Sequence, residues 1–252
     1  MKQQPIIKID DVWKGYDMGK AGFLTVLKKI NLEVYGGEFI AISGPSGSGK
    51  STMMNLVGAL DMPSRGNIYL KGKDISKMGE SDLAFMRGET IGFIFQQFNL
   101  IPTLTALKNV MLPMELINIP EKYAVARAEK LLNMLNLGER MYHKPNELSG
   151  GQQQRVAIAR SLANNPEIIL ADEPTGNLDS KTGGFIMDFL RKMNEEEGKT
   201  IILITHDLDL VRYVKRVVYI LDGEIEKDVQ KCLKVKKTSL SPLKITMKGG
   251  AK

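Results

Sequence analysis

Short runs of mostly apolar residues, each followed at once by polar residues or glycine, are the clearest pattern in this chain. They occupy residues 39–43, 168–171 and 200–205, and a helical stretch at about 180–195 separates the last two. Strands that are apolar throughout, with a helix between them, are typical of a buried parallel sheet. The pattern therefore predicts an α/β protein with a mainly parallel central sheet.

The first seventy residues show other patterns of apolar and polar positions. Residues 6–12 and 30–34 alternate apolar and polar side chains, as half-buried strands do, and residues 66–70 predict a further strand. The glycines between residues 15 and 22 predict a loop. A helix is expected from Ser51 to about Leu60.

The middle of the chain, from about residue 101 to residue 165, is predicted to be mostly helical. Val125, Ala128, Leu132 and Leu135 recur at three- and four-residue spacing, which gives a helix one apolar face. Pro166 ends the last helix of this part.

Composition excludes several protein classes. Of the 252 residues, 43% are hydrophobic and 25% are charged, which is ordinary globular usage and excludes wholesale disorder and fibrous repeats. No apolar run reaches the roughly 18 residues of a membrane span, and no secretory signal is expected at the N-terminus. The single cysteine, Cys232, excludes an internal disulfide and fits a reducing cytoplasm.

The net charge of +6 comes from a short tail. Residues 227–252 carry eight lysines and one acidic residue, Asp228, so the rest of the chain is nearly neutral. A tail of this kind is solvated and disordered, attracted to anionic lipid, or in contact with nucleic acid. Nucleic acid is the least expected partner because no aromatic residues interleave with the lysines. We place the tail at residues 229–252 and expect it to be loosely ordered.

A glycine-rich segment follows the first apolar run and matches the phosphate-loop pattern G-x-x-x-x-G-K-[ST]. Its residues are Gly44, Pro45, Ser46, Gly47, Ser48, Gly49, Lys50, Ser51 and Thr52. Glycines let successive backbone N–H groups converge on phosphate oxygens, and the following helix adds the positive end of its dipole. Lys50 can reach the β- and γ-phosphates, and the Ser51 hydroxyl can ligate Mg²⁺.

The two later apolar runs also end in candidate metal-binding and catalytic residues. Asp172 can hold Mg²⁺, and Glu173 is a candidate general base for an attacking water. His206 can position that water or bond a phosphate oxygen. Taken singly, a carboxylate pair is often a helix cap and a lone histidine is usually a surface or core residue. Their joint occurrence with a phosphate loop favours the functional interpretation.

A second glycine motif, Leu148 to Gln152, stands just before a predicted helix. A serine with two glycines at a helix N-terminus can bind an anion, although an ordinary helix cap is the simpler interpretation. One chain does not need two γ-phosphate cradles so far apart in sequence. The second motif is therefore expected to serve another copy of the protein.

With these motifs in order, residues 6–228 resemble the ATP-binding-cassette family. Ser149, Gly150, Gly151 and Gln152 match its signature sequence, and residues 168–173 match its Mg²⁺-binding strand with the catalytic glutamate. The resemblance also assigns Gln96 to the glutamine loop near Mg²⁺ and the attacking water, Asp179 to the loop that links two subunits, and His206 to the switch histidine. Tyr16 would stack on adenine, although Trp13 is close by and either aromatic is also expected as simple packing.

The resemblance implies a P-loop NTPase core with a mainly parallel sheet, an N-terminal antiparallel β subdomain and an inserted α-helical subdomain. It implies an ATPase that binds ATP and Mg²⁺, with Gln96, Ser51 and Asp172 near the metal. Two copies would associate head to tail around two ATP molecules, each ATP touching the phosphate loop of one copy and the signature sequence of the other.

Residues 91–102, 104–110 and 172–179 look like the lipoprotein-release and macrolide-export branch. The resemblance implies a separate transmembrane permease and a cytoplasmic location on the inner face of the cell membrane. Two other functions stay open. One is a cassette ATPase acting on nucleic acid or ribosomes, which usually carries a long insertion or two cassettes. The other is a GTPase or small-molecule kinase, although a guanine-reading Asn-Lys-x-Asp motif is missing from this sequence.

Overall fold

The computed structural model describes residues 4–19, 22–207 and 209–230 and contains two sheets and six α-helices in that part of the chain. The strands are β1 Ile7–Asp17, β2 Phe23–Val34, β3 Phe39–Ser43, β4 Arg65–Leu70, β5 Lys73–Asp74, β6 Ile91–Ile94, β7 Ile168–Asp172, β8 Thr200–Ile204, β9 Arg216–Leu221 and β10 Glu224–Gln230. The helices are α1 Lys50–Val57, α2 Glu80–Thr90, α3 Ala106–Leu116, α4 Glu121–Met134, α5 Gly150–Ser161 and α6 Ser180–Glu197.

The central sheet has the strand order β10-β9-β3-β8-β7-β6, and all of its pairings are parallel except that of β10 with β9. Every residue of β3 and β8 is buried, as the apolar runs predict. The prediction of a mainly parallel central sheet is therefore confirmed.

The core lies on both faces of this sheet because alternate residues of each strand point to opposite sides. In β3, Phe39 and Ala41 join a cluster with the apolar faces of α3, α4, α5 and α6. Ile40 and Ile42 join a second cluster with α1, α2 and the other sheet. Both faces are covered, which is the condition that lets an apolar parallel sheet form.

The smaller sheet is antiparallel, with the order β2-β1-β4-β5. Its predicted alternation is present, since Ile7 and Ile9 are buried while Lys8 and Asp10 are half-buried. The predicted loop at residues 15–22 is wrong over its first three residues, because β1 continues to Asp17. A side chain on Gly15 would collide with the Phe23 ring at 2.2 Å, so this glycine allows close packing across the hairpin instead of a turn.

The middle of the chain contains α3, α4 and α5, in agreement with the helical periodicity. Ala128, Leu132 and Leu135 are fully buried on the predicted apolar face. The limits of a helical subdomain at 101–165 stay a prediction. The lysine-rich tail falls outside the described residues from 231 onward, and its predicted first residues, 229 and 230, belong to β10.

The sequence patterns do not anticipate α2 or the strands β5, β6, β9 and β10. β6 pairs with β7 in parallel, from Ile91 opposite Ile168 to Ile94 opposite Ala171. A strand this short carries too few residues for its period to be recognised.

Asn194 ties α6 to the central sheet. It is 6% exposed, and its Nδ2 donates to the carbonyl oxygens of Gly37 at 2.8 Å and Lys199 at 2.7 Å. The replacement Asn194→Leu keeps the branched shape of the side chain but leaves both carbonyls without this donor. We expect it to lower the free energy of unfolding by about 1–3 kcal/mol.

Urea denaturation followed by circular dichroism measures this loss. Glu195→Gln, on the exposed side of the same helix, is the control and should change the midpoint little. An Asn194→Leu midpoint equal to that of the control would contradict the assigned role.

Candidate functional site

A cavity of about 810 Å³ opens where several strands of the central sheet end. It is lined by Val26, Pro45, Ser46, Gly47, Gly49, Lys50, Ser51, Thr52, Gln96, Asp172, Glu173, Ile204 and His206. Most of the phosphate loop and the polar residues that follow β6, β7 and β8 therefore share one space. In open parallel sheets this edge is where ligands bind.

The phosphate loop takes a backbone course that glycine allows. Gly47 and Gly49 have φ values of 78° and 104°, a backbone conformation that residues with a side chain rarely adopt. A Cβ on Gly49 would also lie 2.7 Å from Leu27 Cδ2 in β2. α1 begins directly afterwards at Lys50, and the first N–H groups of a helix have no partner within the helix. The loop and the helix start thus present backbone donors suited to an anion.

Lys50 lies across the mouth of this loop. Its Nζ donates to the carbonyl oxygens of Gly44 at 2.8 Å and Pro45 at 2.7 Å. Burial lowers the pKa of the Lys50 ammonium group, and the carboxylates of Glu173 and Asp172 oppose that shift. A partly desolvated cation interacts strongly with a phosphate placed beside it.

Asp172 is the last residue of β7, and its surroundings disfavour its negative charge. Burial raises the pKa of its carboxyl group first, the Glu173 carboxylate raises it further, and Lys50 opposes both. A cation next to Asp172 would relieve this cost, because an opposite charge favours the ionised form.

Glu173 is fixed in place by the end of β8. Its φ of 44° lies in the left-handed region, and its N–H donates to the carbonyl oxygen of Ile204 at 2.9 Å. Its carboxylate accepts from the Thr205 hydroxyl at 3.1 Å and from the His206 backbone N–H at 2.9 Å, and it contacts His206 Nδ1. The Glu173 side chain is 12% exposed and that of His206 is 71% exposed. The carboxylate is therefore oriented from one side by protein groups.

Gln96 follows β6 and reaches the same cavity. Its carbonyl oxygen accepts from Asn177 Nδ2 at 3.1 Å. A Cβ on Gly176 would lie 3.1 Å from Gln96 Nε2, so the missing side chain at 176 makes room for this amide. The loops that follow β6 and β7 are thus packed against each other.

Ser51, Gln96 and Asp172 supply a hydroxyl, an amide and a carboxylate around this cavity. This donor set fits Mg²⁺, which uses one or two carboxylates and substrate phosphates instead of an all-protein cage. Within the described ranges no group of three or more His, Cys, Asp or Glu side chains could hold a metal ion.

Tyr16 is not among the cavity-lining residues of the described chain, but its hydroxyl reaches the edge of the phosphate loop. It donates to Asp61 Oδ2 at 2.9 Å. Burial raises the pKa of the Tyr16 hydroxyl, the bond to Asp61 adds to this, and the Thr52 side chain opposes the rise. Lys14 Nζ lies 4.8 Å from the ring centroid and pairs with Asp61 at 2.6 Å. Stacking of Tyr16 on adenine stays a prediction.

The signature residues form a separate, largely exposed surface together with Asp179, which we call the signature surface. Ser149 caps α5: its Oγ accepts from Gln152 N–H at 3.3 Å, and its own N–H donates to Gln152 Oε1 at 2.8 Å. Asp179 caps α6, and its Oδ2 accepts from the Thr182 hydroxyl at 2.6 Å. A Cβ on Gly151 would lie 2.7 Å from Thr182 Cγ2, so the two helix starts touch.

The signature surface does not line the described cavity. The hydrogen bonds of Asp179 with the Thr182 side chain and backbone hold the pKa of its carboxyl below the ordinary value. The helix-cap interpretation of Ser149 is correct, and it leaves the exposed glycines beside it available to another molecule.

Sequence patterns missed some residues that shape the cavity. Val26 lines it from β2, Thr205 orients Glu173, and Gln154 bonds to the loops on either side. Thr205 could have been found, since it precedes His206 at a strand end. Val26 and Gln154 carry no local signal, because their roles depend on long-range packing.

Within the residues that the structure describes, none of the helices combines the length and the apolar character needed to cross a bilayer.

Comparison with known proteins gives consistent results. An uncharacterized ABC transporter ATP-binding protein of Thermotoga maritima is 50% identical over 88% of this chain and 94% of its own length. MJ0796 of Methanocaldococcus jannaschii, with the same description, is 52% identical over 88% of this chain and 96% of its own. The macrolide export ATP-binding/permease protein MacB of Bdellovibrio bacteriovorus is 50% identical over 88% of this chain, which covers only 34% of MacB.

Two solved structures of MJ0796 superpose on the chain with a TM-score of 0.83. One is a dimeric post-hydrolysis state bound to ADP and Pi, and it is 49% identical over 89% of this chain and 98% of its own. The second is also dimeric and is 50% identical. The family model described as ABC transporter matches residues 27–176, more than half of the sequence. The chain therefore belongs to the ABC transporter family, as one of its ATP-binding, ATP-hydrolysing cassettes.

Proposed function

We propose that the chain drives a separate membrane permease by closing, as a head-to-tail pair of copies, on two ATP molecules with Mg²⁺. The observation that carries this proposal is that the candidate functional residues lie in two separate parts of the chain, the cavity and the signature surface. The cavity holds phosphate-binding and acid–base groups, while the exposed helix start at Ser149 lies on the signature surface outside it. A second copy would supply that surface to the open side of the cavity. The dimeric MJ0796 structures support this arrangement.

In the proposed reaction, the backbone donors of the phosphate loop and Lys50 bind the β- and γ-phosphates. Glu173 accepts a proton from the attacking water, because its carboxylate is held by Thr205 and His206 with its free side toward the cavity. Gln96 and His206 orient that water and the γ-phosphate. Mg²⁺, held by Ser51 and Asp172 near Gln96, would neutralise charge on the phosphates when bound.

Hydrolysis and release of phosphate would remove charge from the interface between the two copies. The closed pair is then no longer favoured over the open one, since a ligand shifts such an equilibrium only through contacts that differ between the two states. Alternate closing and opening would move the permease.

Glu173→Gln tests the assignment of the base. The amide keeps the shape but cannot take the proton, so we expect turnover to fall by about 10²-fold or more while ATP binding persists. The variant should accumulate as an ATP-bound dimer, measured by gel filtration with light scattering. Glu195→Gln is the charge-matched control, and a Glu173→Gln variant with normal turnover would refute the role.

Asp172→Asn tests the metal site through stability. The raised pKa of Asp172 means that its ionised form destabilises the folded chain at pH 7. The neutral amide should therefore raise Tm, by roughly 2–4 °C for each kcal/mol gained in the free energy of unfolding. As the pH falls through the raised pKa, the wild-type carboxyl becomes protonated, and the gain should shrink and vanish below the ordinary aspartate pKa.

MgATP should stabilise the Asp172→Asn variant less than the wild type, because the variant offers the metal no charge. Differential scanning fluorimetry measures both effects, with the exposed Asp209→Asn as control. A loss of Tm at pH 7 would contradict the cost assigned to the Asp172 charge, and undiminished stabilisation by MgATP would count against Asp172 as a metal ligand.

A second cavity, of about 700 Å³, is the surface where we propose that the permease docks. It lies among α2, α3, β6 and α5, and its walls include the exposed apolar side chains Phe85 and Leu116, 58% and 76% exposed. Arg87 and Arg160 line it as well. Exposed apolar patches rimmed by polar residues mark interaction sites. The MacB relatives, whose name joins an ATP-binding part with a permease, support a membrane partner.

The double variant Phe85→Ser/Leu116→Ser should lose that partner while keeping basal ATPase activity. The measurement is mass spectrometry of proteins that co-purify with the tagged chain from detergent-solubilised membranes. Tyr123→Ser/Tyr142→Ser, at aromatic residues that are 66% and 73% exposed, is the matched control. Co-purification of ribosomes or DNA instead of a membrane protein would favour the alternative of a cassette acting on those partners.

We further propose that docking holds the chain at the cytoplasmic face of the cell membrane. Its branch would be that of lipoprotein release or macrolide export, as the similarity to MacB supports. Contact of the lysine-rich tail with anionic lipid would add about 1 kcal/mol per lysine near the surface.

A further inference from the structure

Gln154 is a buried amide inside α5 that none of the roles above uses. It is 1% exposed. Its Nε2 donates to the carbonyl oxygen of Pro174 at 2.7 Å and, more weakly, to that of Phe95 at 3.4 Å. One side chain thus bonds to two loops that follow neighbouring strands of the central sheet.

The two carbonyls stand directly beside the groups proposed for hydrolysis. Phe95 immediately precedes Gln96, and Pro174 immediately follows Glu173. Because the amide of Gln154 bonds to backbone, it constrains where both neighbouring side chains begin.

The acceptor atom of this amide argues against a purely structural role. Among the described residues no group donates to Gln154 Oε1, although the atom is buried. An unpaired buried acceptor costs stability, and an apolar side chain of the same length would avoid that cost. The donor Nε2 is therefore the useful part of the side chain.

α5 connects this amide to the signature surface. Ser149 caps the helix that carries Gln154, and the helix is a hydrogen-bonded, rigid element. The Ser149 end of the helix and the loops that hold Gln96 and Glu173 are therefore joined through one element.

We propose that Gln154 is a positioning residue that couples the signature surface to the hydrolytic groups of the same chain. Nucleotide that the partner copy holds against Ser149 fixes the position of α5. Gln154 then positions Gln96 and Glu173 for hydrolysis of the nucleotide bound to the phosphate loop of their own chain. The two ATP sites of the pair become mutually dependent. This inference rests on the proposed function.

Gln154→Met tests the coupling, because methionine keeps the length and removes the donor. We expect kcat for MgATP to fall by about tenfold to a hundredfold, the range for a misplaced catalytic group, while KM changes much less. The ATP-bound dimer of Glu173→Gln should still form when Gln154→Met is added, since the binding surfaces are unchanged.

Asn194→Leu is the matched control. It also removes a buried amide that bridges two carbonyls, but far from the cavity loops, so its kcat should stay that of the wild type below its unfolding temperature. Asn177→Ala is a second probe at an exposed position, where it removes the bond to Gln96 O, and it should lower kcat in the same direction but less.

Wild-type kcat in Gln154→Met would overturn the inference, and so would loss of ATP-dependent dimerisation together with activity. If Gln154→Met does not fold, Gln154→Leu decides, because leucine also removes the donor to the Phe95 and Pro174 carbonyls: reduced kcat with unchanged KM supports the inference, and unchanged kcat overturns it. Failure of Glu173→Gln alone to form an ATP-bound dimer would instead refute the proposed function.

Discussion

Parallel pairing in register is the constraint on which the site depends. Ile42 of β3 and Asp172 of β7 both pair with Ile204 of β8, so three strands end in one row. Burial on both faces fixes this register, because a slip by one residue would turn every apolar side chain to the other face. The phosphate loop, the carboxylate pair and His206 are neighbours for that reason.

This packing creates an electrostatic conflict that suits nucleotide binding. Burial disfavours the charges of Asp172 and Lys50, and the adjacent Glu173 makes the ionised Asp172 still less favourable. In a protein selected for stability alone, such a cluster would be costly. A bound phosphate with its cation relieves the conflict, because each charge then finds a partner without further rearrangement of the protein. The site gives up stability to gain affinity.

Helix α5 joins the two functional surfaces of the chain. Its start is exposed beside Gly151 and Thr182, while Gln154, one turn later, is buried between the loops after β6 and β7. Arg160, near its end, donates to the Phe98 and Asn99 carbonyls and lines the apolar cavity where we propose that the permease docks. Desolvation lowers the pKa of this guanidinium, which donates to two backbone carbonyl oxygens. One element thus contacts the signature surface, the hydrolytic loops and the docking surface.

The local parts follow from the amino-acid sequence alone: the phosphate loop, the fully apolar strands with polar ends, and the helical face containing Ala128 and Leu132. These patterns are visible because each depends on residues within one or two turns or strands. The tertiary structure decided that Gly15 packs under Phe23 in a strand, that Lys14 and Asp61 hold Tyr16, and that Gln154 reaches two distant loops. Those contacts join residues far apart in the chain, and their distances are fixed only when the sheet register and the helix packing are in place.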